Sequence, residues 1–333
     1  MFVGPTDEKV ANPRLVNSHL CFLILSHMNH SLRIGLNWWK SLQGQSADRR
    51  LFAALVTVGS CTVLVKLVAF IKDALVAYQF GTGDAMDAFL IALLLPQFAI
   101  TLVGGSLNTA LIPTYIQVRE QEGWPAADRL MSSVIVIAVL FLITLSLLLA
   151  FTATHVLPFL AGGFTSEKLA QARSLYLILL CALVLHGIGT IWGAVLNAVN
   201  RFALVAAVPI VTSIVTIALV LAMARSYGAY ALAFGIVGGA LIETGFIGWW
   251  LLREGVSILP RWEGMTPAAK QVLGQYMPMV AGAFLMGSTS VVSQSMAAML
   301  DPGSVSALAY GSKVTNLLLG IGATAVSTAF LPH

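Results

Sequence analysis

Lys66, Lys72, Asp73, Glu243 and Lys313 stand inside stretches that otherwise read as lipid-spanning helices. A charged side chain at the centre of a bilayer costs about 2.5–3.5 kcal/mol on insertion scales, so such residues face a bundle interior or a water-filled cavity. An apolar bundle with a cationic interior suits the carriage of an anionic, membrane-bound cargo, and these positions point to transport. Lys66 and Lys72 are separated by about 600° of helical rotation, which leaves them about 120° apart. They can share one broad cavity wall and cannot form one tight clamp. Asp73 points about 100° away from Lys72 and is expected to pair with another helix. Lys313 would approach from the last helix. The competing reading is that the lysines snorkel, or pair with Asp73, Asp87 and Glu243 to fix helix packing.

The elements that position these residues follow from composition and punctuation. The chain is 58% hydrophobic and only 10% charged, which excludes a soluble enzyme core because nothing would cover its surface. The net charge of +4 lies in connectors, with no basic stripe or nucleic-acid-binding motif. Cys21, Cys61 and Cys181 lie far apart in apolar surroundings and read as small buried hydrophobes. His186 is central in an apolar run, where a packed core role competes with a proton relay. No metal-ligand cluster, phosphate loop, nucleophile elbow or catalytic acid pair occurs, and no cofactor is expected.

A spanning helix needs about 20 apolar residues. Eight candidate spans result: 51–79, 85–117, 130–155, 171–198, 202–224, 229–252, 271–299 and 304–331. Pro96, Gly104, Gly105 and Pro113 can bend the second, as packing kinks or as a hinge. Lys and Arg crowd one set of connectors (Arg119, Arg129, Arg201, Arg253, Arg261, Lys270), while the other holds only Lys168, Arg173 and Arg225. The positive-inside rule then puts both termini and the basic connectors in the cytoplasm. Residues 1–46 hold only a short apolar run, Leu20–Leu25, and read as a cytoplasmic extension or a start-site artefact, with Met28 an alternative start.

Three blocks carry a family resemblance. "VKLVAFIKDALVAYQFGTGDAMDAFLIALLLP" holds Lys66, the Lys72–Asp73 pair, the Gly-rich turn, Asp87 and Pro96. "GAVLNAVNRFALVAAVP" spans 193–209, and "GSVSALAYGSKVTNLLLGIGATAVSTAFLPH" closes the chain. In this order they resemble the first, fourth-to-fifth and eighth helices of the MurJ/MviN lipid II flippase family, within the exporter superfamily of drugs and lipid-linked oligosaccharides. Lysine stands at 66, 72 and 313 where that family has arginine, which keeps the charge without the planar fork that grips diphosphate. Ile100 and Thr101 stand at or near a family arginine pair, and Gly104 where a glutamate is expected. An altered headgroup is one implication. The family has fourteen helices, so the chain also reads as part of a longer protein.

The resemblance implies an all-α polytopic membrane protein with a first six-helix bundle over 47–255, and two helices of a second over 256–333. It implies a non-enzymatic, multi-pass protein of the bacterial cytoplasmic membrane that moves a polyprenyl-diphosphate-linked saccharide by alternating access. Lys66, Lys72 and Lys313 are then the expected cargo contacts, with Asp73, Asp87 and Glu243 as gate or ion-pair residues. Partners would be the lipid-linked cargo, membrane lipid, and polysaccharide or cell-wall synthesis proteins. The alternatives are a non-transporting scaffold of a polysaccharide export machine and a drug/cation antiporter of the same broad fold.

Overall fold

The structure, a computed structural model, describes residues 47–199, 201–255, 264 and 267–330. The expected amino-terminal extension 1–46, Asn200 and Arg261 lie outside the described residues. Among the described residues nine helices follow one another: α1 Ala47–Phe80, α2 Asp84–Glu122, α3 Trp124–Leu160, α4 Ser166–Ala198, α5 Phe202–Ala207, α6 Pro209–Tyr227, α7 Tyr230–Arg253, α8 Pro267–Ala297 and α9 Ser304–Phe330. No strand occurs among the described residues. Each expected span is occupied by a helix, and the fifth is divided. Pro209 supplies no backbone donor, and the chain re-enters helix after Val208 as α6.

Local chemistry sets the ends. Gly81 adopts a left-handed φ of +60° and its N–H caps Ala77, which stops α1. Asp84 and Asp87 occupy the first turn of α2, where they oppose the positive end of the helix dipole. Thr165 accepts the Lys168 N–H to cap α4. Gly303, at φ +92°, turns the chain from α8 into α9. α2 runs unbroken through both Pro96 and Pro113.

Among the described residues six stretches are long and apolar enough to cross a membrane: Asp84–Glu122, Trp124–Leu160, Ser166–Ala198, Phe202–Tyr227, Tyr230–Arg253 and Pro267–Ala297. α1 and α9, of 34 and 27 residues, fill the first and last expected spans. Val58–His333 forms one unit by its contacts; of the other, Met1–Thr57, only the start of α1 is described. Within the larger unit α2 packs on α4 and α8, α4 on α3 and α7, and α6 on α7, with α9 lying against α2 and α8. Met86, Ile91, Leu111, Leu142, Leu175 and Leu183 are wholly buried between them. In lipid, small residues let helix backbones approach. A Cβ at Gly239 of α7 would lie 2.7 Å from the Thr212 Cα on α6, so this crossing requires glycine. Phe141, Leu147, Phe151 and Leu241 point outward, as a lipid-facing surface does.

Candidate functional site

A cavity of about 590 Å³ lies between α1, α2, α6, α7, α8 and α9. Its size falls within the roughly 300–1,000 Å³ of small-molecule sites. Phe89, Leu93 and Ile236 give it apolar walls, while Gln97, Thr101, Ser293, Gln294 and Asn316 bring amides and hydroxyls. Lys72 and Asp73 enter from α1 and Lys313 from α9.

These three form one charged cluster. Asp73 Oδ1 accepts from Lys313 Nζ at 2.9 Å and lies 3.3 Å from Lys72 Nζ. The cross-helix partner expected for Asp73 is therefore Lys313. The sequence-neighbour Lys72 reaches the same oxygen in spite of the angle between the two side chains, because its four-carbon stem is long enough to bend back. Two ammonium groups share one carboxylate, leaving a single net positive charge, and Lys313 also faces the Tyr310 ring at 5.8 Å. All three side chains are partly exposed, so the cluster is accessible from the cavity.

Lys66 does not line the cavity. It is exposed two helical turns before Asp73, and its stem passes Gly320, two turns beyond Lys313, where a Cβ would lie 3.3 Å from Lys66 Cε. The opposed numbering of these two contacts shows that α1 and α9 run antiparallel along this face. Of the three expected cargo lysines, the structure brings two together and sets the third apart.

Asp87 occupies a different place. It is 1% exposed and caps α9 from α2, accepting the Gly303 N–H at 2.8 Å and the Ser306 N–H at 2.9 Å. Its ion-pair partner is Lys168 of α4 at 3.1 Å, and Lys168 also binds Asp84 at 2.7 Å. Sequence reasoning missed Lys168, which it counted as an external connector charge. One signal was available: a lysine in the first turn of a helix opposes the helix dipole and needs nearby acids to hold it. The same end is drawn together elsewhere. The Ser295 hydroxyl donates to Leu160 O at 2.8 Å, and the Tyr310 hydroxyl to Gly81 O at 3.3 Å. The α1–α2, α3–α4 and α8–α9 turns thus meet at one end and close it.

Glu243 lies outside the cavity, on α7. The Thr212 hydroxyl of α6 donates to its Oε2, and among the described residues no lysine or arginine pairs with it. The opposite end of the molecule carries basic residues in structural contacts. Arg119 donates to Ala198 O at 3.1 Å, and Arg201 pairs with Glu254 at 2.8 Å. The Arg253 guanidinium stacks on Trp249 at 3.9 Å. Among the described residues no group of three or more His, Cys, Asp or Glu side chains is placed to hold a metal ion.

Solved structures share this architecture. The chain superposes on "Lipid II flippase MurJ, inward closed conformation" with a TM-score of 0.68 and 22% identity, over 80% of this chain and 55% of that one. A Pyrococcus furiosus transporter of the MOP superfamily gives a TM-score of 0.64 at 15% identity, over 83% of this chain and 63% of that one. At these identities the likeness shows the fold. Among curated relatives, a probable lipid II flippase MurJ of Rhizobium meliloti is 28% identical over 85% of this chain and 54% of its own length. The lipid II flippase MurJ of Burkholderia cenocepacia is 24% identical over 85% and 56%. The chain spans about half the length of the curated relatives it matches. The family model described as lipid II flippase MurJ matches residues 76–333, so the chain belongs to the MurJ lipid II flippase family.

Proposed function

We propose that this chain supplies the cargo-binding face of a flippase that carries a polyprenyl-diphosphate-linked saccharide, lipid II or a polysaccharide repeat-unit precursor, across the bacterial cytoplasmic membrane. The observation that carries the reading is the Lys72–Asp73–Lys313 cluster in the cavity. A diphosphate cannot cross hydrocarbon unaided. Two ammonium groups held beside one carboxylate form a preassembled anion site in which Asp73 stands where the cargo phosphate would bind. A diphosphate brings more negative charge than Asp73, and each ammonium–phosphate contact at 4 Å is worth about 4 kcal/mol at an effective dielectric near 20. Cargo then displaces Asp73 from at least one lysine, while the polyprenyl tail stays in lipid. Gln97, Gln294 and Asn316 are suited to sugar hydroxyls.

The closed end fits a gate. With the basic connectors in the cytoplasm, the end sealed by Asp87 faces outward, and release requires α9 to leave the Asp87 carboxylate. In this reading α1–α7 form a first bundle and α8–α9 belong to a second. Lys66, off the cavity wall, meets cargo on entry or fixes α1 against α9.

The test is export in cells that depend on this protein. Lys72→Ala and Lys313→Ala should abolish export while membrane levels stay near the parent's, and arginine at either site should retain more function than alanine. Loss of the folded protein in both alanine variants would assign the lysines to helix packing instead.

A further inference from the structure

We propose that the cavity selects a cargo whose saccharide is uncharged, because its neutral wall is set to accept hydrogen bonds from sugar hydroxyls and to turn away a carboxylate. This rests on the cargo reading above and narrows it to one class of saccharide. Six hydroxyl side chains line the cavity, and four of them are already committed as donors to their own helix. Thr101 donates to Gln97 O at 3.0 Å and Thr216 to Thr212 O at 2.7 Å. Ser293 donates to Thr289 O at 2.8 Å and Ser312 to Leu308 O at 2.8 Å. A hydroxyl has one proton to give and two lone pairs to receive with, so each of these offers the cavity an acceptor. The four come from α2, α6, α8 and α9, so the acceptors are spread over four helices. Sugar hydroxyls can donate to such oxygens. An ionised carboxylate only accepts and would meet lone pairs instead. To bind it, each hydroxyl would have to leave the carbonyl of its own helix and forfeit that bond. The amides of Gln97, Gln294 and Asn316 both donate and accept, which matches the same double character in a sugar hydroxyl.

Charge points the same way. Among the described residues that line the cavity, Lys72, Asp73 and Lys313 are the charged ones, two ammonium groups against one carboxylate. A saccharide-bearing polyprenyl diphosphate carries one negative charge on each phosphate and takes up both ammonium groups. A carboxylate on the saccharide would then enter with no cation left to pair with and with the diphosphate's charge beside it. A hydroxyl at the same place meets neither cost. A precursor built of neutral sugars fits this cavity; one that carries a uronic acid or an acidic peptide does not.

Binding to the purified chain in lipid nanodiscs tests this with three probes that share one polyprenyl diphosphate. One bears a neutral hexose disaccharide, the second the same disaccharide with one hexose oxidised to the uronic acid, and the third the methyl ester of that acid. The neutral probe should bind about tenfold or more tighter than the acid. The ester, which removes the charge and adds one methyl group, should recover most of the loss. Thr101→Arg, which adds a cation to the wall, should narrow the gap by tightening the acid. Thr101→Val together with Ser293→Ala, which removes two acceptors, should narrow it by weakening the neutral probe. Affinities of the parent for the neutral and acidic probes within about twofold would overturn the inference and leave the cargo reading in place. So would an ester that binds as weakly as the acid, which would make size the discriminating property. Failure of all three probes to bind a folded protein would remove the cargo reading and this inference with it.

Discussion

Removing the Asp87 carboxylate should free the start of α9, and the size of the effect can be worked from the contacts. The Gly303 and Ser306 N–H groups belong to the first turn of a helix, where no intrahelical acceptor exists, so Asp87 is the acceptor that protects them. Hydrogen bonds to a charged group contribute about 1.5–3 kcal/mol each, and a lost N-cap about 0.5–2 kcal/mol. The two bonds share one carboxylate and are not additive, so Asp87→Ala should cost about 3 kcal/mol locally. At 1.4 kcal/mol per decade, that is a roughly 100-fold faster exchange of the amides over 303–306. Asp87→Asn keeps one acceptor oxygen and should fall between alanine and the parent. Lys168→Met removes the ion pair at 3.1 Å but leaves both N–H bonds in place, so it should have a smaller effect on α9. Hydrogen–deuterium exchange by mass spectrometry on the detergent-solubilised chain reads all three. Exchange over 303–306 within about threefold of the parent in Asp87→Ala would refute the reasoning, since a loss of about 3 kcal/mol predicts far more.

Two further outcomes follow from particular contacts. Gly239→Ala would drive a methyl group against the Thr212 backbone, costing about 1–3 kcal/mol against about 1 kcal/mol of helix propensity gained. Its thermal midpoint should fall, while Gly245→Ala, on the same helix with open space around it, should not be destabilised; the opposite order would contradict the close α6–α7 crossing. A reporter fused after Gly123 should be cytoplasmic and one placed at Gly163 external, and both on one side would contradict the Lys/Arg reading of orientation.

The helices were legible because a spanning segment must satisfy its own backbone and present apolar side chains to lipid, and both demands are written in local sequence. The Pro209 break lay in plain view and was read through, because the apolar run on either side of it is continuous. Lys72, Asp73 and Lys313 could be singled out as charges in apolar runs. What rotation angles could not tell was that a flexible lysine stem would bring Lys72 onto its own neighbour's carboxylate. Lys66 has the same signature as Lys72 but a different address, because the cavity covers only part of α1. Lys168 was hidden in a connector; its partners, Asp84 and Asp87, lie on another helix, and only the folded turn end brings them together. Glu243 was legible as an intramembrane acid, but its hydrogen-bond donor Thr212 comes from another helix, a pairing no single window reveals.

Direct binding tests the central claim most closely. The purified chain in lipid nanodiscs should bind a labelled polyprenyl-diphosphate disaccharide, with binding weakened by added inorganic diphosphate and by salt, as expected of an ammonium–phosphate contact. Replacing Lys72 and Lys313 together by glutamine should reduce affinity at least tenfold, while Asp73→Asn, which frees both ammonium groups, should leave affinity equal or higher. Undiminished binding by the double lysine variant, with normal folding, would contradict the claim that these two lysines hold the cargo.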